Sequence, residues 1–169
     1  VTTELRIGLS VDIHAFDPTA EPGSPRCLVL GGVVFPGEVP LRGHSDADAV
    51  AHAVGEAMLG AAGLGDLGSH FPDDDPLWLG ADSLALLAAC AALVAADGWA
   101  LANADCTLVA ERPRVAPVRA EMMARLAKAA RGPVHVKATR PEGLGSLGRG
   151  EGVACYAVAL LQRAGGPGP

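Results

Sequence analysis

The sequence predicts an α/β domain of the α+β sandwich kind, a mixed sheet with helices on one face. Three observations predict it. Segments that alternate apolar with small or polar residues are interleaved with alanine- and leucine-rich runs of helical length. Half of the 169 residues are apolar but only 4% are aromatic, so the helix faces are small and need a sheet or a partner subunit to hide against. No internal repeat and no long linker divides the chain, which predicts a single domain over residues 1–164 and a flexible tail at 165–169.

The elements follow in order. Leu5–Ile13 alternates as a half-buried strand should, so Asp12 and His14 point to one face. Residues 17–25, rich in Pro, Gly and Ser, form a loop. Two short strands, Cys27–Leu30 and Val33–Phe35, flank a tight turn at Gly31-Gly32. A helix is expected over Asp46–Ala62, closed by Gly60 and Gly63, with Ser45 three residues before Asp48 in a capping-box-like start. Residues 66–76 read as a loop. Ala81–Asp97 is a second helix with Asp82 as a cap and Gly98 as a stop. Trp99–Ala110 alternates again, and Pro117–Arg131 is a helix with Met122, Met123 and Leu126 inward. Val134–Ala138 is a strand, Pro141–Gly152 a glycine-rich loop, and Val153–Gln162 strand or helix by pattern alone.

Composition excludes several classes of function. The net charge of −6, with basic residues scattered, argues against a nucleic-acid partner. No run of eighteen apolar residues exists to cross a membrane, and Val1–Ser10 lacks the layout of a signal peptide. The four cysteines stand apart in apolar contexts with no C-x-x-C, which predicts buried thiols in a reducing cytoplasm.

Four constellations could carry chemistry. Asp12, His14 and His52 form a carboxylate–imidazole–imidazole set suited to a catalytic Zn²⁺ with one position open; a chance Asp-x-His and an unrelated histidine would look the same. His44 and Ser45 flank a helix start, where phosphate binds readily but an ordinary cap is also common. Asp66, Asp73, Asp74 and Asp75 could hold sugar hydroxyls or a hard cation, or simply form a solvated turn. Gly143, Gly145 and Gly148 match G-x-G-x-x-G, yet no ribose-binding acid follows and no βαβ unit can close. That loop reads better as a backbone approach to phosphates. Glu142 is then free for a cation and Arg149 for an anion or for Glu151.

Together these stretches resemble the 2-C-methyl-D-erythritol 2,4-cyclodiphosphate synthase family. The resemblance rests on Asp12-Ile-His-Ala-Phe16, Gly31-Gly32, His44-Ser-Asp-Ala-Asp48, His52-Ala, Gly65-Asp-Leu-Gly68, Phe71-Pro-Asp-Asp-Asp75, Gly80-Ala-Asp-Ser83, Lys137-Ala-Thr139 and Gly148-Arg-Gly-Glu-Gly152. It implies a cytoplasmic homotrimer whose sheets face the centre and whose active sites lie between subunits. It also implies Zn²⁺ on Asp12, His14 and His52, and a second ion, Mg²⁺ or Mn²⁺, on Glu142 and the substrate phosphates. The implied reaction closes 4-diphosphocytidyl-2-C-methyl-D-erythritol 2-phosphate into the cyclic diphosphate and releases CMP.

By the same resemblance His44 and Ser45 lie on the phosphate side, Asp66, Gly68 and Asp73 hold the sugars, and Asp48 and Phe71 are further substrate-binding residues. Ala110, Pro113 and Arg114 match the cytosine segment, Thr139 the diphosphate contact, and Arg149 a further substrate contact. His44, Thr139 and Glu142 would be the catalytic residues. The chain departs from the family at Arg140-Pro141, where two threonines are usual, and at Ser146-Leu147, where Phe-Thr is usual. Arg114 replaces a lysine, and Leu9-Ser10-Val11 replaces a Gly/His-Gly-Phe run. Two other functions would use the same ligands: a Zn²⁺-dependent phosphoesterase, and a non-catalytic trimer that binds isoprenoid phosphates.

Overall fold

In Thr3–Ala15 (β1) every odd residue from Leu5 to Ile13 is large and apolar, while the even positions carry Arg6, Gly8, Ser10, Asp12 and His14. A strand sorts such a sequence onto two faces, and one face here goes to the helices. This is seen in a computed structural model that describes residues 2–22, 26–72 and 74–164. The expected tail at 165–169 lies outside the described residues.

β1 pairs antiparallel with Gly152–Ala164 (β6) along its whole length, from Thr3 opposite Ala164 to Ala15 opposite Gly152. β6 pairs antiparallel with Ala100–Val109 (β4), and β4 pairs parallel with Val134–Thr139 (β5). The sheet is therefore mixed, in the order β1-β6-β4-β5. The last segment, ambiguous by pattern, is a strand. Its first four residues are all buried, so it shows no alternation there.

Leu28–Leu30 (β2) and Val33–Phe35 (β3) form the expected hairpin. Gly31 and Gly32 have φ of 57° and 72°, the left-handed pair that a two-residue hairpin turn requires. Their N–H groups donate to the two oxygens of Asp48, whose Oδ1 also accepts from Val50 and Ala51. Asp48 is thus the cap of Ala49–Ala62 (α1), and the helix begins later than the Ser45 reading placed it. Gly63, left-handed at φ 75°, ends it.

Alanine lets α1 lie very close to the sheet. A Cβ on Gly8 would fall 2.0 Å from the Ala57 carbonyl oxygen, which is backbone and cannot move aside. Gly8→Ala should therefore cost roughly 1–3 kcal/mol through overpacking. An unchanged thermal midpoint would show that the approach is looser than described.

Ser83–Ala96 (α3), capped by Asp82, packs on α1, and Arg119–Ala130 (α4) packs on α3 and β5. Met122 and Leu126 are buried as expected, but Met123 is only partly buried. Two loops hold short helices, Leu67–His70 (α2) after Asp66 and Gly145–Gly148 (α5) in the glycine loop. Cys90, Cys106 and Cys155 are buried thiols; Cys27, expected to be buried, is exposed. Burial raises the Cys90 pKa to about 12. The face of β1 turned away from the helices stays open, with Ile7 72% and Leu9 69% exposed beside Tyr156 and Val158 of β6. No helix among the described residues is long and apolar enough to cross a membrane.

Candidate metal centre and the clefts around it

Asp12 and His14 share the helix-facing side of β1 near its end, and His52 comes down from the first turn of α1. Their ligand atoms all lie within 4.8 Å of one another. Asp12 Oδ2 is 3.0 Å from His14 Nε2 and 3.3 Å from His52 Nδ1, and the two nitrogens are 3.3 Å apart.

Hydrogen bonds fix which atoms face inward. His14 Nδ1 meets the Arg42 carbonyl at 2.8 Å and must donate to it, which leaves the Nε2 lone pair for the centre. His52 Nε2 is 2.8 Å from Ser83 Oγ and 3.2 Å from Ser45 Oγ, which leaves Nδ1 for the centre. Asp12 Oδ2 is buried and has no well-formed hydrogen bond, although both imidazoles approach it.

Three converging lone pairs repel unless a proton or a cation sits among them. Bonds of about 2.0–2.1 Å in a tetrahedral Zn²⁺ site place ligand atoms roughly 3.3 Å apart, close to the spacing here. The residues therefore fit a metal held by one carboxylate and two imidazoles with a position to spare.

Without metal, a proton supplies the countercharge. Burial of Asp12 works to raise its pKa, but His14 and His52 outweigh it and hold it at about 2. Burial likewise works to lower that of His14, and Asp12 outweighs it, raising it above 6.5. The Asp12 contribution to stability is complete above its ordinary 3.8 and fades as pH falls toward 2. That of His14 is complete below 6.5 and fades as pH rises through its elevated folded value. The metal-free fold thus draws most from this pair between 3.8 and 6.5. Metal needs the imidazoles neutral, so its advantage should grow above that window. The gap in thermal midpoint between Zn²⁺-loaded and chelator-treated protein should widen from about pH 5 to about pH 8. A constant gap would refute the linkage.

A cavity of about 260 Å³ opens beside this group, lined by His14, His44, Ser45, His52, Gly68 and Phe71 among others. Residues 44–46 are laced to the loop before α3: Gly80 N–H donates to the His44 carbonyl and Asp46 N–H to the Ala81 carbonyl. His44 Nε2 meets the Asp75 carbonyl at 3.3 Å, and Phe71 packs edge-on against Trp78 at 5.1 Å. A second cleft, about 180 Å³, is lined by Ala110, Glu111, Pro113, Arg114, Thr139 and Arg140 among others. Both lie at the same end of the sheet, because His14 faces Val153 while Val109 faces Ala154 and Thr139. They sit at opposite edges, three strand spacings or roughly 14 Å apart.

Several expected site residues are placed differently. Asp48 is fully buried and saturated by backbone N–H groups, so it has no surface for a substrate. It also occupies the α1 N–H groups expected to meet phosphate, which leaves the His44-Ser45 segment for that role. Asp66 is exposed and caps α2 through Ser69, whose hydrogen bonds lower its pKa. Asp73 lies outside the described residues. Arg149 pairs with Glu151 at 2.6 Å.

Glu142 is exposed and belongs to no metal-capable group among the described residues of one chain. Its φ of 54° puts a non-glycine residue in the left-handed region, a strain often kept at functional loops. Two features escaped sequence reasoning. Glu111 accepts from Gly143 N–H at 2.8 Å and approaches Arg140 at 3.9 Å, tying the second cleft to the glycine loop. Ser83 and Asp46 back His52, and the signal available for them was the Asp-Ser doublet opening α3, where Asp82 takes the cap and leaves Ser83 free.

A mixed sheet carrying three side chains that could hold a metal ion, beside an open cavity, defines an α/β protein with a candidate metal site. Residues 5–162 match the YgbB family, to which the chain belongs. It is 56% identical to a bifunctional enzyme IspD/IspF of Anaeromyxobacter sp. (strain Fw109-5), over 93% of this chain and 40% of that protein. The chain thus spans about two-fifths of the bifunctional relatives it matches. It is 51% identical to the 2-C-methyl-D-erythritol 2,4-cyclodiphosphate synthase of Geobacillus kaustophilus, over 94% of this chain and 98% of that one. Among solved structures it resembles the bifunctional IspDF from Campylobacter jejuni, with TM-score 0.88 and 34% identity over 96% of this chain and 43% of that one. It also resembles a CDP-bound 2C-methyl-D-erythritol-2,4-cyclodiphosphate synthase, with TM-score 0.79 and 35% identity over 92% and 99%.

Proposed function

We infer that the chain is a 2-C-methyl-D-erythritol 2,4-cyclodiphosphate synthase, a metal-dependent lyase of non-mevalonate isoprenoid synthesis. It converts 4-diphosphocytidyl-2-C-methyl-D-erythritol 2-phosphate to the cyclic diphosphate and CMP. The observation that carries this reading is the convergence of Asp12, His14 and His52 on the cavity that His44 and Ser45 line. Full-length relatives of that name, about half identical in sequence, support it.

An oxygen of the 2-phosphate attacks the β-phosphorus, and the bond from that phosphorus to the bridging oxygen breaks. CMP leaves with the electron pair. Nucleophile and electrophile are both anionic and already tethered, so the protein's task is to fold the substrate and neutralise charge. Zn²⁺ on Asp12, His14 and His52, with Mg²⁺ or Mn²⁺ on Glu142, would supply Lewis-acid charge stabilisation. His44 and Ser45 orient the phosphates, while Asp66, Gly68, Phe71 and Asp73 hold the sugars. Ala110, Pro113 and Arg114 hold the cytosine, Thr139 steadies the diphosphate, and Arg149 adds a cation on leaving Glu151.

The working unit is the domain 1–164 in a homotrimer, with the open faces of β1 and β6 turned to its centre. A contiguous apolar patch on a sheet face fits such burial. The separation of the two clefts supports sites shared between neighbours, each built from the metal centre of one subunit and the Thr139–Glu142 segment of the next. Free thiols at all four cysteines suit a reducing cytoplasm. Phosphorus NMR of products formed with Zn²⁺ and Mg²⁺ tests the reading. CMP with a cyclic diphosphate is expected, and inorganic phosphate without CMP would instead mean a phosphoesterase.

A further inference from the structure

We propose that Ser83 and Asp46 form a positioning pair that fixes the orientation and tautomer of His52 and thereby sets the metal affinity of the centre. This rests on the reading of Asp12, His14 and His52 as metal ligands and adds residues to it. Ser83 Oγ hydrogen-bonds to Asp46 Oδ1, and Ser83 N–H donates to Asp46 Oδ2 at 3.1 Å, so one carboxylate grips both polar groups of the residue that opens α3. The carboxylate is itself held, because Asp48 N–H donates to its Oδ1 at 3.2 Å.

The proton count along this chain of contacts has one solution. A carboxylate accepts only, so the Ser83 hydroxyl spends its proton on Asp46. Its oxygen then accepts, and His52 Nε2, 2.8 Å away, must donate. The Nδ1 lone pair is therefore left facing Asp12 and His14.

Ser83 is 1% exposed, so it cannot touch substrate and acts only through His52. Ser45 differs. Its oxygen accepts from Ala47 N–H at 3.1 Å, and it lines the cavity, so its own proton can turn to a ligand. The pair also links metal loading to the docking of α3, since Ser83 opens that helix and Asp46 lies on the segment laced to residues 80–81.

The test is competition for Zn²⁺ between the full chain and a chromophoric chelator. Ser83→Ala should weaken binding on the order of 10–100-fold, Asp46→Asn should weaken it independently, and Ser83→Thr should restore it. The Ser83→Ala enzyme should regain kcat at saturating Zn²⁺ with KM little changed, which a general loss of structure would not allow. Wild-type affinity in both Ser83→Ala and Asp46→Asn would overturn the pair. Absence of Zn²⁺ binding by the wild-type chain would instead overturn the metal reading beneath it. If Ser83→Ala lowers the metal-free thermal midpoint and Ser83→Thr fails to restore affinity, the role is structural and the proposal fails.

Discussion

His52→Ala should abolish CMP release while leaving the chain folded. The imidazole is half-buried at the sheet-facing side of α1, flanked by Ser45 and Ser83 on one nitrogen and by Asp12 and His14 on the other. Removing it leaves two of three ligands, and a residual Asp12–His14 pair cannot hold a catalytic metal tightly. The rate should fall on the order of a thousandfold, equivalent to about 4 kcal/mol of lost charge stabilisation. α1 gains an alanine in an already alanine-rich helix, so circular dichroism should be unchanged. Turnover within tenfold of wild type, in protein shown to lack Zn²⁺, would remove the metal from the mechanism.

The second large effect concerns pairs of inactive variants. In the proposed shared site, His52→Ala would disable the metal-side half and Glu142→Ala the glycine-loop half. Each alone should be inactive as a homotrimer. When the two are unfolded together and reassembled, a site drawing one half from each of two neighbours is whole in about one case in four. Mixed assemblies should then recover about a quarter of wild-type activity. Sites contained within single chains would recover none, because every chain carries one lesion. That outcome would sink the shared-site arrangement while leaving the chemistry intact.

Where the sequence was legible, a local rule decided the outcome. Strand parity placed Asp12 and His14 on one face, and the glycine pair marked the hairpin at residues 31–32. Where it was not, the deciding partner came from elsewhere in the chain. Ser45 and Asp48 are both good caps by type; Asp48 prevails because its carboxylate also takes the N–H groups of a turn 17 residues upstream. β6 looked ambiguous because both its faces are covered at the start, which erases the alternation that identifies a strand. Ser83 gave no signal beyond the Asp-Ser doublet, since its partner Asp46 is 37 residues away and Asp82 satisfies the capping rule beside it. By its sequence the glycine triplet suits a backbone approach to phosphates. At Gly148 the structure gives a packing reason as well, for a Cβ there would lie 2.1 Å from the Gly143 carbonyl carbon.

The long ladder between β1 and β6 has a consequence for how such a chain can diverge. Odd positions of β1 face outward and even positions carry Gly8, Ser10, Asp12 and His14 toward α1, all in one uninterrupted register. Point substitutions can alter either set alone. A single-residue insertion or deletion between Leu5 and Asp12 would exchange the two sets beyond it unless a bulge absorbed the change. It would lift Asp12 and His14 away from His52 and press Val11 or Ile13 against α1. Length in this strand is therefore held more tightly than identity, and natural variation in it should consist of replacements rather than gaps.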